Sequence, residues 1–231
     1  MKYAYLALLA CIPLIAAAGD DISKVNGSIR VTAGQQVGDV DNVNGSIDIE
    51  AGATAEDVST VNGSIELGDE ASAEELNSVN GGIQLGRGAK VQSIETVNGK
   101  LQLAENAVVR RDVEAVNGQI WLGKDAQVNG KVANVNGAIE LQGTKVGAGI
   151  TTKNGDITLG PGSHVSGGIL VEEPGRSFNF FRKAPKIIIG PGATVEGKLK
   201  FEHEVELYVS ETAKIGPVEG ATAVRFKGER P

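Results

Sequence analysis

Val25-Asn26-Gly27-Ser28-Ile29 returns unchanged at Val43–Ile47 and at Val61–Ile65. The Asn-Gly pair then recurs on the same step. Its copies begin at Asn26, Asn44, Asn62, Asn80, Asn98, Asn117, Asn136 and Asn154, with spacings of 18, 18, 18, 18, 19, 19 and 18 residues. A period held over eight copies marks a repeat architecture, and it outranks local propensity as evidence for fold.

Seven copies read apolar-Asn-Gly-x-apolar-x-apolar, as in Val61-Asn62-Gly63-Ser64-Ile65-Glu66-Leu67, and the eighth, Lys153-Asn154-Gly155-Asp156-Ile157-Thr158-Leu159, loses the first apolar residue. Ile-x-Leu alternates with period two, the pattern of a half-buried strand. A second apolar segment completes the unit, for example Ala71, Ala73 and Leu76, or Ala89, Val91 and Ile94. No unit carries a helical stripe. Eighteen residues cannot enclose a core, but stacked copies can share one.

Asn-Gly is also a strong hairpin signal. A hairpin needs flanking strands of similar length, which these units lack, and a meander has no need of so constant a step. The expectation is therefore all-β: a single-stranded β-solenoid, or parallel β-helix, of about 18 residues per coil and right-handed. Strands of successive coils would lie about 4.8 Å apart. In this reading the Val, Ile and Leu of each copy point into the core. Gly turns a corner in the left-handed region. Asn26, Asn44, Asn62, Asn80, Asn98, Asn117, Asn136 and Asn154 form an amide ladder inside the bend.

The series stops after Leu159. Gly160-Pro161-Gly162 and Gly190-Pro191-Gly192 then open two related segments 30 residues apart, read as continued coils with changed turns. Between them lies the least repetitive stretch, 172–186, expected as a projecting loop. It holds Arg176, Phe178, Phe180, Phe181, Arg182 and Lys183, which are candidate partner contacts because aromatic and Arg side chains concentrate binding energy. The residue between Ile and Leu runs Arg30, Asp48, Glu66, Gln84, Gln102, Trp121, Glu140, Thr158. A solenoid sets these in line on one face. Trp121, the single Trp, stands out as a further contact candidate.

Composition limits the functions open to the chain. It has 231 residues, 32 of them Gly, with 4% aromatic content and a formal charge of −7. Small and β-branched side chains must therefore build the core. An acidic chain is a poor match for phosphate backbones, so nucleic acid is not an expected partner. Lys2, an apolar run over 3–15 and Ala16-Ala17-Ala18 read as a secretory signal over 1–18, with residues 19–159 the Asn-Gly repeats and 160–231 the continued coils and cap. The expected location is the periplasm or cell surface of a bacterium. Leu8-Leu9-Ala10-Cys11 offers the alternative of a lipid anchor on Cys11. Membrane contact is expected only through that anchor or through the 172–186 loop.

His164 and His203 have no Cys companion in the mature chain, so no His/Cys metal site is expected, and no cofactor motif occurs. Carboxylates are abundant, but no acid pair can be singled out by spacing. The expectation is a non-catalytic protein.

With the repeats laid out, residues 22–159 resemble the adhesin-like β-solenoid repeat domains of bacteria. The stretch Gly190-Pro191-Gly192-Ala193-Thr194-Val195-Glu196-Gly197-Lys198-Leu199 resembles bactofilins, which are polymer-forming cytoskeletal β-helices. The resemblance implies a structural or binding role with no catalytic residues, and partners that are either further copies joined end to end or an envelope glycan or protein. Bactofilins work mainly on the cytoplasmic side, and the export signal departs from that pattern. A polysaccharide-active β-helix enzyme is the remaining alternative.

Overall fold

The computed structural model describes residues 19–173 and 184–231. The chain winds into a parallel β-solenoid of eleven coils. Two eleven-stranded sheets run its length and a seven-stranded sheet lines its third side from Lys90 onward; all pairing is parallel, and each strand inside a sheet pairs with the strands one coil before and after it. Among the described residues there is no helix. One full coil shows the plan: Ser93–Asn98 lies in the first sheet, Leu101–Leu103 in the second and Val108–Val109 in the third. In the early coils the third side is held by single bridges, Gln36 to Thr54, Thr54 to Ser72 and Ser72 to Lys90.

The registry is strict. Ile29, Ile47, Ile65, Ile83, Leu101, Ile120, Ile139 and Ile157 form one buried column, and it continues through Ile187 and Leu207. The constant step is what aligns them, since a slip of one residue would turn each inward side chain outward. The second apolar segments are buried too: Ala71, Leu76, Ala89 and Ile94 are fully enclosed. Burying each Leu or Ile contributes about 1.5–3 kcal/mol. The two Gly-Pro-Gly segments continue the same three sheets, with Val165 pairing with Val195 and Leu159 with Ile189.

The 30-residue step between those segments arises at one corner. Gly168–Val171 ends the first-sheet strand of the ninth coil, and Lys186–Ile189 resumes in the second sheet. This is the corner that Asn-Gly occupies in the first eight coils. Residues 174–183, including Arg176, Phe178, Phe180, Phe181, Arg182 and Lys183, lie outside the described residues. So does the expected leader, 1–18.

Three expectations about the corner need correction. The Val before each Asn is not core. Val25 is 65% exposed, and Val43, Val61, Val79, Val97 and Val116 are each about 40% exposed. In Val40–Asn44 the strand alternates Val40 in, Asp41 out, Asn42 in, Val43 out. The inward partner is thus the residue just before the Val, which is polar in most coils.

The Asn ladder exists, but on the outside of the bend. Each amide donates to the carbonyl oxygen of the Asn one coil earlier, from Asn44 to Asn26 at 3.2 Å through to Asn154 to Asn136 at 2.9 Å. Asn26, Asn44, Asn62, Asn80, Asn98 and Asn117 are exposed. A further pair, Asn129–Gly130, sits out of phase between Gln127–Val128 and Lys131–Asn136 and takes no part.

Positive φ does not explain the conserved spacing of Gly either. Among the eight, only Gly27, Gly45 and Gly137 lie in that region, at 93°, 150° and 122°. Stacking does explain it. A β-carbon on Gly63, Gly81, Gly99 or Gly118 would overlap the carbonyl oxygen of the corner Gly one coil earlier. Only a residue without a side chain lets the coils close at this corner.

Candidate groove on the first sheet

The corner geometry creates two columns with opposite roles. The inward column runs Asn42, Thr60, Ser78, Thr96, Ala115, Asn134, Thr152, and its members are 3–5% exposed or fully buried. Its polar groups serve the carbonyls that the tight corner leaves turned inward. Asn42 Nδ2 donates to Gly27 O at 2.9 Å, and Thr60 Oγ1 to Gly45 O at 3.2 Å. Ser78 Oγ donates to Gly63 O at 3.3 Å, and Thr96 Oγ1 to Gly81 O at 3.2 Å. Asn134 Nδ2 reaches both Gly118 O, at 2.7 Å, and Gly137 O, at 3.0 Å. Buried carbonyls without a donor are costly, so the polar column is structural. Asn42 and Asn134 each leave their Oδ1 buried without a partner.

The outward column is the valines. Strand alternation turns Val43, Val61, Val79, Val97 and Val116 to solvent, Val25 is exposed in the first coil, and half-buried Val135 extends the line. At about 4.8 Å per coil the seven span on the order of 29 Å. They form the floor of an elongated groove of about 900 Å³. A continuous exposed apolar strip of this kind is a candidate interaction surface.

The two sides of the groove differ. On one side the Asn ladder lies one residue further along the chain. On the other, two residues back from each Val, stand Ser23, Asp41, Ser59, Asn77, Glu95, Glu114 and Ala133, with Thr151 two residues before Lys153. Asp39 and Asp57 sit at the near corner, where Asp39 Oδ1 accepts the backbone N–H of Asp57 at 3.2 Å. Toward the C-terminal end the polarity changes. Lys131 pairs with Glu114 at 2.8 Å, and that carboxylate holds the ammonium above its ordinary range. In the eighth coil Lys153 takes the place of Val and pairs with Glu172 at 3.5 Å. The apolar floor therefore ends in two ion pairs, beside the corner from which the 174–183 stretch departs.

Trp121 lies on the second sheet, away from this groove. The expected outward line is present: Gln102, Trp121, Glu140 and Thr158 are consecutive partners. Trp121 is half-buried there, and its ring leans over Gly123, where a β-carbon would come within 3.2 Å of it. Further along, the line turns apolar at Ile188, Tyr208 and Val224, with Lys186 Nζ 4.8 Å from the centre of the Tyr208 ring.

The groove was legible only in part. The valines recur in plain sight, but local pattern assigns an apolar residue in a strand to the core. The signal that distinguishes them is the polar column immediately before each Val, at Asn42, Thr60, Ser78 and Thr96. Among the described residues no group of three or more His, Cys, Asp or Glu side chains is placed to hold a metal ion. Compared with family models, curated proteins and solved structures, the chain matches none of them.

Proposed function

We propose that this protein is a non-catalytic β-solenoid, exported to the bacterial envelope, that acts as a scaffold or adhesin-like binder and engages its partner through the valine groove. The observation that carries the reading is the column of six valines, each about 40% exposed or more, on an otherwise polar sheet face. A rigid stack of coils suits display of a long, straight surface, and the repeat pattern resembles that of bacterial adhesin-like solenoids. Replacing Val61, Val79 and Val97 together by Ser removes the middle of the floor without touching the core. Purified protein is expected to co-sediment with isolated envelope material, and the triple variant to lose most of that binding. Equal retention of both proteins would overturn the reading.

A second reading, an end-to-end polymer, is favoured by the sheet ends. Among the described residues Ile22–Asn26 and Val218–Glu219 each pair with a neighbour on one side only. Bare strand edges invite pairing with another copy, and a head-to-tail contact does not close. Filaments in negative stain would support it; a monodisperse monomer at high concentration would exclude it.

A further inference from the structure

We infer that the valine groove receives an extended polypeptide segment carrying both apolar and basic side chains, an inference that rests on reading the groove as the binding surface. Shape is the first argument. The floor is one side chain wide and about 29 Å long, which eight or nine residues of extended chain would span at about 3.3 Å each. Valine methyl groups left at about 40% exposure gain by being covered with apolar side chains.

The side walls select a peptide over a bare hydrocarbon chain. Each ladder Asn spends one amide hydrogen and one carbonyl lone pair on its neighbours. A second hydrogen and a second lone pair remain on each exposed side chain. One residue beyond the valine floor along each strand the chain thus presents a row of exposed donors and acceptors at coil spacing, suited to backbone N–H and C=O groups. An acyl chain has nothing to offer them.

The opposite wall supplies the charge requirement. Among the described residues Asp41 and Glu95, which line the groove, take part in no ion pair. They stand in the second and fifth coils of a chain whose formal charge is −7. Lys or Arg side chains on the bound segment can lay their flexible stems aside to these carboxylates, which favours encounter and rejects acidic competitors. A second copy of this chain fits poorly. A strip about 29 Å by 10 Å is roughly 300 Å², short of the ~800 Å² per partner of a stable dimer. Aligning two valine columns would also set acidic walls against each other.

The test uses a fluorescein-labelled octapeptide of alternating Lys and Val, followed by anisotropy. The same lengths of alternating Glu and Val, and of alternating Lys and Ser, are the comparisons. The Lys/Val peptide is expected to bind at least roughly tenfold more tightly than either, and to weaken as salt rises from about 20 to about 300 mM. Val61→Ser/Val79→Ser/Val97→Ser is expected to lower its affinity at least roughly tenfold, and Asp41→Asn/Glu95→Gln by a smaller factor, with unchanged melting curves. The carboxylate variant alters only exposed groups and keeps the test open if the valine variant does not fold. Equal binding of the Glu/Val peptide, or wild-type affinity in both variants, would overturn the inference. So would a dimer in sedimentation that the valine variant abolishes, because the groove would then belong to a second copy. If the valine variant loses envelope binding while the Lys/Val peptide never binds, the peptide inference fails and the binding surface stands. If the valine variant changes neither, both fail.

Discussion

The hydroxyl of Thr96 donates to the carbonyl of Gly81 at 3.2 Å, one coil back, while the next residue, Val97, faces solvent. This pair inverts the usual rule that polar residues face out and apolar ones face in. The tight corner leaves a carbonyl pointing inward, and a hydroxyl there satisfies it at the cost of placing the valine outside.

Exchanging the two chemistries should therefore have opposite effects. Thr96→Val is expected to destabilise by about 1–3 kcal/mol, because the Gly81 carbonyl is left buried without a donor. Val97→Thr should change stability by less than about 0.5 kcal/mol, as surface substitutions generally do. Urea denaturation of the two variants is the measurement. Equal effects would refute the assignment of inside and outside.

A gain is expected at Asn42. Its Nδ2 bonds to Gly27 O at 2.9 Å, but its Oδ1 is buried without a partner. Thr occupies the same column at Thr60 and Thr96 with no such orphan. Asn42→Thr should raise stability by about 1 kcal/mol, read from the same denaturation curves.

The ladder makes a graded prediction. Asn80 donates to Asn62 at 3.0 Å and accepts from Asn98 at 3.0 Å. Asn80→Ala removes both rungs and should cost about 1–3 kcal/mol, each exposed bond being worth about 0.5–1.5. Asn80→Asp keeps the acceptor and loses only the donor, so at neutral pH it should fall between Ala and wild type. The order of the two midpoints is the diagnostic.

Two glycines in the same motif should respond differently to alanine. At Gly81 the new β-carbon meets the Gly63 carbonyl, which belongs to rigid backbone, and a loss of about 2–4 kcal/mol is expected. At Gly27 nothing lies within 4 Å, and the cost comes from its φ of 93° alone, about 1–2 kcal/mol. Thermal melts of the pair would show whether stacking or backbone conformation governs the corner.

The Asp69–Arg87 pair predicts a pH signature. Hydrogen bonds from the Arg87 guanidinium and backbone N–H hold the Asp69 carboxyl below its usual value. A carboxylate depressed in the folded state contributes stability above its unfolded pKa, and loses it as pH falls through the folded value. Arg87→Gln removes the guanidinium but keeps the backbone N–H, so the Asp69 titration followed by NMR should move upward, toward the ordinary carboxylate range. Both groups are exposed, so the melting temperature at neutral pH should hardly change.

The repeat by itself determined the coil length, the all-β class and the buried Ile-x-Leu columns. These follow from a period that only stacked, in-register strands can satisfy. It also determined that the asparagines share one line, since residues one coil apart must stack. Tertiary structure decided which side of the wall each column faces at the corner. Val43 and Asn42 are adjacent, and local pattern assigns the apolar one to the core. The unpaired carbonyl of Gly27 reverses that choice, and it becomes visible only when one coil is laid on another. The requirement for Gly at Gly81 was likewise hidden, because its reason is a carbonyl 18 residues earlier rather than its own φ. The groove follows from that same reversal: where Asn42, Thr60, Ser78, Thr96 and Asn134 turn in to meet a corner carbonyl, the valine that follows each is left on the outer face.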